Sequence, residues 1–151
     1  MKKLHSLTFT ENEILSNHTI SAGGVVLNLH HQVLVVNQQS NSWSLPKGHI
    51  DNDEDKVTTA KREIYEESGI SQLEFIKKLG TYKRYRIGKN GGEDMNELKT
   101  IHMFLFTTSQ LDLKPIDSEN PEARWVHKKE VATLLTHPKD KDFFISIIDQ
   151  L

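Results

Sequence analysis

The chain has 151 residues, 36% of them apolar and none of them Cys, a length that suits one domain over 1–151 and a composition that excludes disulfides, thiol nucleophiles and cysteine-bearing zinc sites. Nineteen basic residues against twenty-one acidic ones leave a net charge of −2, too small for a global field that would draw duplex nucleic acid or an anionic membrane, so phosphate recognition has to be local. The start, Met1-Lys-Lys-Leu-His-Ser, lacks the apolar stretch of a signal peptide and no run approaches the roughly 20 residues that span a bilayer, so a cytoplasmic location is expected.

Residues 1–17 are mixed and polar, with a short strand expected at Leu7-Thr-Phe9. Thr19 to Leu29 and Gln32 to Val36 read as two strands joined by a turn near Asn28 to His31. Gly23 and Gly24 permit close backbone approach, either to a cleft or to a tightly packed neighbour. A polar loop, Asn37 to Asn41, precedes Trp43-Ser-Leu-Pro46-Lys47-Gly48, where Pro46 and Gly48 constrain the backbone so that Lys47 can present both its carbonyl and its ammonium.

From Asp53 onward a helix is expected, because Val57, Ala60 and Ile64 recur at buried-stripe spacing and nothing interrupts them before Gly69, which stops the helix in a left-handed conformation. Glu63, Glu66 and Glu67 follow around one side and share a face bordering the core. Like charges at this spacing cost about 0.2–0.5 kcal/mol per pair, and the helix C-terminus adds to the repulsion. Two compensations fit: Arg62 pairing with Glu66, or a hard divalent cation such as Mg²⁺ or Mn²⁺, which clustered carboxylate oxygens suit. A calcium EF-hand does not, since Lys56 and Arg62 stand where that loop needs Gly and a bidentate Glu.

Beyond the helix, Leu73 to Leu79 suggests a strand. Gly80-Thr-Tyr82-Lys83-Arg84-Tyr85-Arg86 alternates aromatic and basic residues, which can stack a base and bind phosphate or form an ordinary strand with a solvated basic face. Ile87 to Glu97 reads as a Gly-rich loop and Lys99 to Phe106 as a central strand. Leu111 to Pro121 is an acidic loop, Ala123 to Val126 a short strand with Trp125 in the core, and Lys128 to Leu135 and Lys139 to Leu151 have helical spacing. Strands and helices interleaved in this way make an α/β fold with helices covering a mixed β-sheet.

The pattern Gly48, five residues, Glu54, seven residues, Arg62-Glu63-Ile64-x-Glu66-Glu67-x-Gly69-Ile70 resembles the Nudix box, and every fixed position of the box is filled. The Nudix hydrolase superfamily implies an α/β/α sandwich and hydrolysis of a nucleoside diphosphate linked to another group. It also implies Mg²⁺ or Mn²⁺ held by Glu63, Glu66, Glu67 and the Lys47 backbone carbonyl, with Arg62 and Glu54 orienting the glutamates. The flanking letters, Trp43-x-Leu-Pro-Lys-Gly-His49, Lys99-Thr-Ile and Glu119 six residues ahead of Trp125, are most similar to asymmetric diadenosine tetraphosphate hydrolases and diphosphoinositol polyphosphate phosphohydrolases. On that resemblance a dinucleoside polyphosphate is the expected substrate, and diadenosine tetraphosphate would yield ATP and AMP. Oxidised nucleoside triphosphates and ADP-ribose are the alternatives, and a nucleotide-sensing domain that does not cleave is the non-enzymatic one. The general base falls to Glu63 or to a late acid, Glu119 or Glu122, with Glu119 favoured by its distance from Trp125. Lys47, Tyr82, Arg84, Tyr85, Arg86, Lys99 and His102 are the expected substrate-binding residues, with Lys83 as a further cation.

Overall fold

A computed structural model describes residues 17–38, 41–88, 92–117 and 122–151. The strands are β1 (Asn17–Leu27), β2 (Gln32–Gln38), β3 (Ser42–Ser44), β4 (Lys47–His49), β5 (Glu74–Ile87), β6 (Glu93–Thr107) and β7 (Glu122–His127); the helices are α1 (Lys56–Ser68), α2 (Lys128–Leu134) and α3 (Pro138–Ile147), followed by a 3₁₀ turn at Ile148–Gln150. They form one mixed sheet in the order β3-β2-β1-β6-β5, with β4 also paired to β1 and β7 to β2. Among the described residues only β1 and β6 run parallel, from Asn17↔Glu97 to Leu27↔Thr107; the other pairings are antiparallel.

The side-chain period of two divides β1 and β6 between two cores. Val25 and Leu27, with Ile101, Met103 and Leu105, pack against Val131 of α2, Leu135, and Phe143, Phe144 and Ile147 of α3. Ala22 and Val26, with Phe104 and Phe106, pack against Ala60 and Ile64 of α1. Ala22 to Leu27 is buried throughout, as a strand covered by helices on both faces requires. The expected α/β/α layering with a mixed sheet is the observed one.

β2 runs on into the expected loop as far as Gln38, β3 and β4 are additional short strands, β5 continues past Leu79 to Ile87, and two further boundaries differ for a clear physical reason. α1 starts at Lys56 rather than Asp53, because Asp55 is the N-cap: its Oδ1 accepts from the Thr58 amide at 2.8 Å, while Asp53 sits in the left-handed region at φ 60°. Much of the stretch read as a loop from Ile87 to Glu97 is strand, since β5 and β6 zip as far as Ile87↔Glu93. The strand expected at Leu7 to Phe9 lies outside the described residues. Trp125 is half-buried against the α1-side core, with its indole N–H donating to the Leu111 carbonyl at 2.8 Å.

α1 ends as expected at Gly69, at φ 83°, whose amide donates to the Tyr65 carbonyl. The loop before β7 closes the rest of that end: the amides of Ile116 and Asp117 donate to the Glu66 carbonyl and that of Lys114 to the Ser68 carbonyl. Those donors satisfy carbonyls that a helix terminus leaves open and offset part of the negative end beside Glu66 and Glu67.

β4 lies on β1 because Gly23 has no side chain. A Cβ there would fall inside contact distance of the Pro46 carbonyl oxygen and the Lys47 Cβ, while the neighbouring Gly24 amide donates to that same Pro46 oxygen at 3.1 Å. Gly23→Ala is therefore expected to destabilise the fold by about 1–3 kcal/mol through overpacking against backbone, a loss read directly from urea denaturation midpoints.

Candidate active site

Arg62 sits at the middle of α1 with its guanidinium turned towards the loop between β4 and the helix. Nε donates to Glu54 Oε2 at 2.8 Å and Nη2 to Glu54 Oε1 at 3.1 Å, the two-point fit of guanidinium to carboxylate. Nη1 donates to Glu63 Oε2 at 2.8 Å and to Glu66 Oε1 at 3.3 Å, Nη2 also to the His49 carbonyl at 3.1 Å, and Asp51 stands at 3.4 Å. These contacts hold the guanidinium protonated even more firmly than usual, the Glu54 hydrogen bond contributing most. They also hold the Glu54 carboxyl down at about 2, again chiefly through Arg62.

The carboxylates of α1 differ sharply in surroundings. Glu66 is partly exposed, Glu63 is largely covered, and Glu67 is 3% exposed, so the face that borders the core runs from solvent at Glu66 to the interior at Glu67. Burial pushes the Glu67 carboxyl well above the ordinary range and Glu63 beside it pushes it further; the Lys47 ammonium and backbone amide pull the other way without prevailing. Glu67 Oε1 has no hydrogen-bond partner. Gly48 lets this happen, because a Cβ at that position would overlap the Glu63 carboxyl group.

A buried acceptor without a partner, next to a second carboxylate, fits a hard cation, which would complete the valence of Glu67 Oε1 and remove the repulsion from Glu63. Among the described residues no three acidic or imidazole groups converge as a finished cage. The reason lies in Arg62, which draws Glu63 and Glu66 onto its own Nη1.

The expected substrate-binding residues divide between the two faces of the sheet. Lys47, Tyr82, Arg84 and Lys99 gather on the α3 side around a residue that no sequence pattern marked, Asp140 in the first turn of α3. Tyr82 Oη donates to Asp140 Oδ1 at 2.6 Å, Arg84 Nε lies 3.3 Å from Oδ1, and Lys47 Nζ lies 3.8 Å from Oδ2. Burial pushes the Lys47 ammonium down to about 8 against the pull of Asp140. Burial would raise the Asp140 carboxyl, but Lys47 and Arg84 hold it below its ordinary value. Lys99 is lowered by burial and by Arg84.

Two of the expectations change as a result. Tyr82 is not an open platform, since its ring stacks on Phe143 at 4.7 Å and its hydroxyl is committed to Asp140. Lys47 turns its ammonium into the protein, where it donates to the Leu45 carbonyl at 3.2 Å, rather than towards solvent. His102 lies apart from this group on the α1 side, within 3.0 Å of Thr81 Oγ1 and 3.3 Å of Lys78 Nζ. Tyr85 is half-buried, and its carbonyl lies 3.0 Å from His137 Nε2.

Of the late acids, Glu119 lies outside the described residues. Glu122 pairs with Arg124 at 2.8 Å on β7 and its carboxyl is lowered, chiefly by that bond. Sequence reasoning missed Glu97, which it left in a loop. The parallel register opposite Asn17 brings Glu97 to Thr19 Oγ1 at 2.9 Å, His49 Nε2 at 3.2 Å and Arg86 Nη1 at 3.8 Å.

A carboxylate-lined helix with cations beyond one short strand suits a metal ion and an anionic ligand, and comparison with known proteins gives the class. Residues 17–146 match the NUDIX domain, so the chain belongs to the NUDIX family, and it is a pyrophosphohydrolase. It is 32% identical over 124 residues to a protein named RNA pyrophosphohydrolase from Pelagibacter ubique, covering 75% of this chain and 78% of that one. In fold it is similar to a C. elegans Ap4A hydrolase, with TM-score 0.71 and 19% identity over 87% of this chain and 96% of the other. It is likewise similar to a MutT protein from Methanosarcina mazei, with TM-score 0.67 and 22% identity over 89% and 95%.

The depressed Glu54 carboxyl has a sign in pH. Its folded value lies below the unfolded one, so the Arg62 pair contributes stability that is complete above about pH 4.5 and is lost as pH falls towards about 2. Glu54→Gln is expected to lower stability at neutral pH and to flatten the acid limb in that window, measured by thermal unfolding of both proteins from pH 7 down to pH 2.5.

Proposed function

We propose that this chain is a divalent-metal-dependent pyrophosphohydrolase of dinucleoside polyphosphates that splits its substrate asymmetrically, so that diadenosine tetraphosphate gives ATP and AMP. The observation that carries the metal-dependent part is the partnerless, buried Glu67 Oε1 beside Glu63 and the Lys47 backbone. Glu63, Glu66, Glu67 and the Lys47 carbonyl are the residues that would hold Mg²⁺ or Mn²⁺, which supplies neutralisation of phosphate charge and acidification of a water. Arg62 aligns Glu63 and Glu66 and ties both to Glu54, so it acts on the glutamates rather than on the substrate. Glu63 or Glu119 takes the proton of the attacking water. The oxygen of that water bonds to one phosphorus, the P–O bond to the bridging oxygen breaks, and the leaving phosphate departs with that oxygen.

For the substrate, the support is a row of cations beside the carboxylate helix together with one aromatic ring. Lys99 and Arg86, with Lys47 and Arg84 behind them, suit a long phosphate chain, and Tyr85 is the aromatic residue of the pair whose ring Phe143 does not cover. One base stacked on Tyr85 is worth about 1–3 kcal/mol. A second reading has its own observation: the relative named RNA pyrophosphohydrolase makes a 5′-triphosphorylated RNA end the alternative substrate. Both carry a nucleoside 5′-polyphosphate, and only the first offers a second nucleoside.

Glu66→Gln and Glu67→Gln are each expected to abolish most of the rate in Mg²⁺ while the protein stays folded, Glu67→Gln without loss of thermal stability because burial and the neighbouring Glu63 disfavour a negative charge at that position. The Mg²⁺-dependent rise in melting temperature should vanish in both. Near wild-type turnover in either variant would remove these residues as ligands.

The substrate is settled by a panel of diadenosine tetraphosphate, triphosphorylated RNA, ADP-ribose, an oxidised deoxynucleoside triphosphate and an inositol pyrophosphate. Diadenosine tetraphosphate should lead in kcat/KM, and Tyr85→Ala should raise its KM about tenfold, one decade being 1.4 kcal/mol. A tenfold preference for any other member rejects the dinucleotide reading and leaves the pyrophosphohydrolase in place.

A further inference from the structure

Glu97 is a carboxylate placed among groups that attract phosphate. It rises from the start of β6 on the α3 side and is 14% exposed. His49 Nε2 lies 3.2 Å away and Arg86 Nη1 3.8 Å away, with the Lys99 charge close by; Thr19 Oγ1 fixes the carboxylate at 2.9 Å. This group adjoins the catalytic helix directly, because His49 follows Gly48, the residue against which Glu63 packs, and the His49 carbonyl accepts from Arg62.

Two of the partners of Glu97, Arg86 and His49, stay open to solvent. Arg86 is 51% exposed, and its two carboxylates, Glu97 and Asp94, stand at 3.8 and 3.9 Å, beyond hydrogen-bond length. The His49 side chain is 55% exposed. A guanidinium paired at that distance keeps donors to offer, whereas the Arg62 guanidinium in the same molecule has spent its donors at 2.8 to 3.4 Å.

We propose that Glu97 is a resident counter-ion of the phosphate-binding arc formed by His49, Arg86 and Lys99, and that a phosphate chain binds by displacing it from those groups. The inference rests on the reading of this cleft as a polyphosphate site. It makes Glu97 a residue that sets affinity: its negative charge screens the arc in the free enzyme and opposes every anion that enters. Glu97 neither touches the reacting phosphorus nor takes a proton, and no bond is made or broken in this step. The carboxylate swings away and the phosphate oxygens accept from the same donors.

Binding of inorganic tripolyphosphate in EDTA at low ionic strength, followed by calorimetry, tests this without metal or turnover. Glu97→Gln should bind it about fivefold tighter than wild type, the scale of one partly exposed charge pair, and Arg86→Gln should bind it more weakly. Glu97→Ala, checked like the others by circular dichroism, serves if Glu97→Gln does not fold and should shift affinity in the same direction. If the Glu97 variants bind no more tightly while Arg86→Gln weakens binding, the counter-ion role is overturned and the arc stands. Tighter binding in the Glu97 variants with no loss in Arg86→Gln places the anion elsewhere and overturns the inference. Absence of binding in all the proteins removes the inference and the phosphate arc together, and leaves the substrate panel to judge the anhydride chemistry separately.

Discussion

Everything at the catalytic end of this molecule depends on where the Arg62 guanidinium sends its donors. One side chain from the middle of α1 holds the loop acids Asp51 and Glu54, the carbonyl of His49 at the end of β4, and two carboxylates of its own helix. Without it the entry loop would lose its ion pairs to the helix and keep the Thr59 hydroxyl on Glu54, and Glu63 and Glu66 would repel one another unopposed. A Lys could not replace it, because an ammonium has no planar fork with which to grip Glu54 at two points while reaching back to Glu63.

The second constraint is how closely β4 approaches its neighbours. The strand has three residues, yet it serves both faces of the sheet. Lys47 places its backbone against Glu67 and its ammonium near Asp140 of α3, so one residue joins the carboxylate side to the cationic side. Gly48 makes room for Glu63, and Gly23 of β1 makes room for Pro46 and Lys47. Removing side chains at two positions brings charge from two helices to within one strand's width.

Charge compensation in the site is divided by depth. Below the surface, Asp140 neutralises Lys47 and Arg84 at the cost of leaving its Oδ2 and two Arg84 nitrogens without hydrogen bonds. Packing holds the group from one side, with Tyr82 stacked on Phe143. Nearer the surface, Glu97 stands among His49, Arg86 and Lys99, and the His49 and Arg86 side chains are about half exposed.

The sequence by itself determined the helix of the box, its stop at Gly69, the α/β layering and the pairing of Arg62 with its glutamates. The helix and the Arg62–Glu66 pairing follow from spacing within one element, where 3.6 residues per turn fixes which side chains share a face, and the layering follows from the order of strands and helices along the chain. It could not say that Glu67 is buried and Glu66 is not, because that depends on β4 covering one flank of α1. Nor could it tell Tyr82 from Tyr85, two aromatics in one alternating stretch, until α3 laid Phe143 over the first of them. Asp140 and Glu97 were invisible for the same reason. Asp140 reaches Lys47 across 93 residues of chain, and Glu97 reaches Thr19 only through the parallel register of β6 on β1. Long-range pairing of strands and helices decided which charges meet, and no local pattern carries that information.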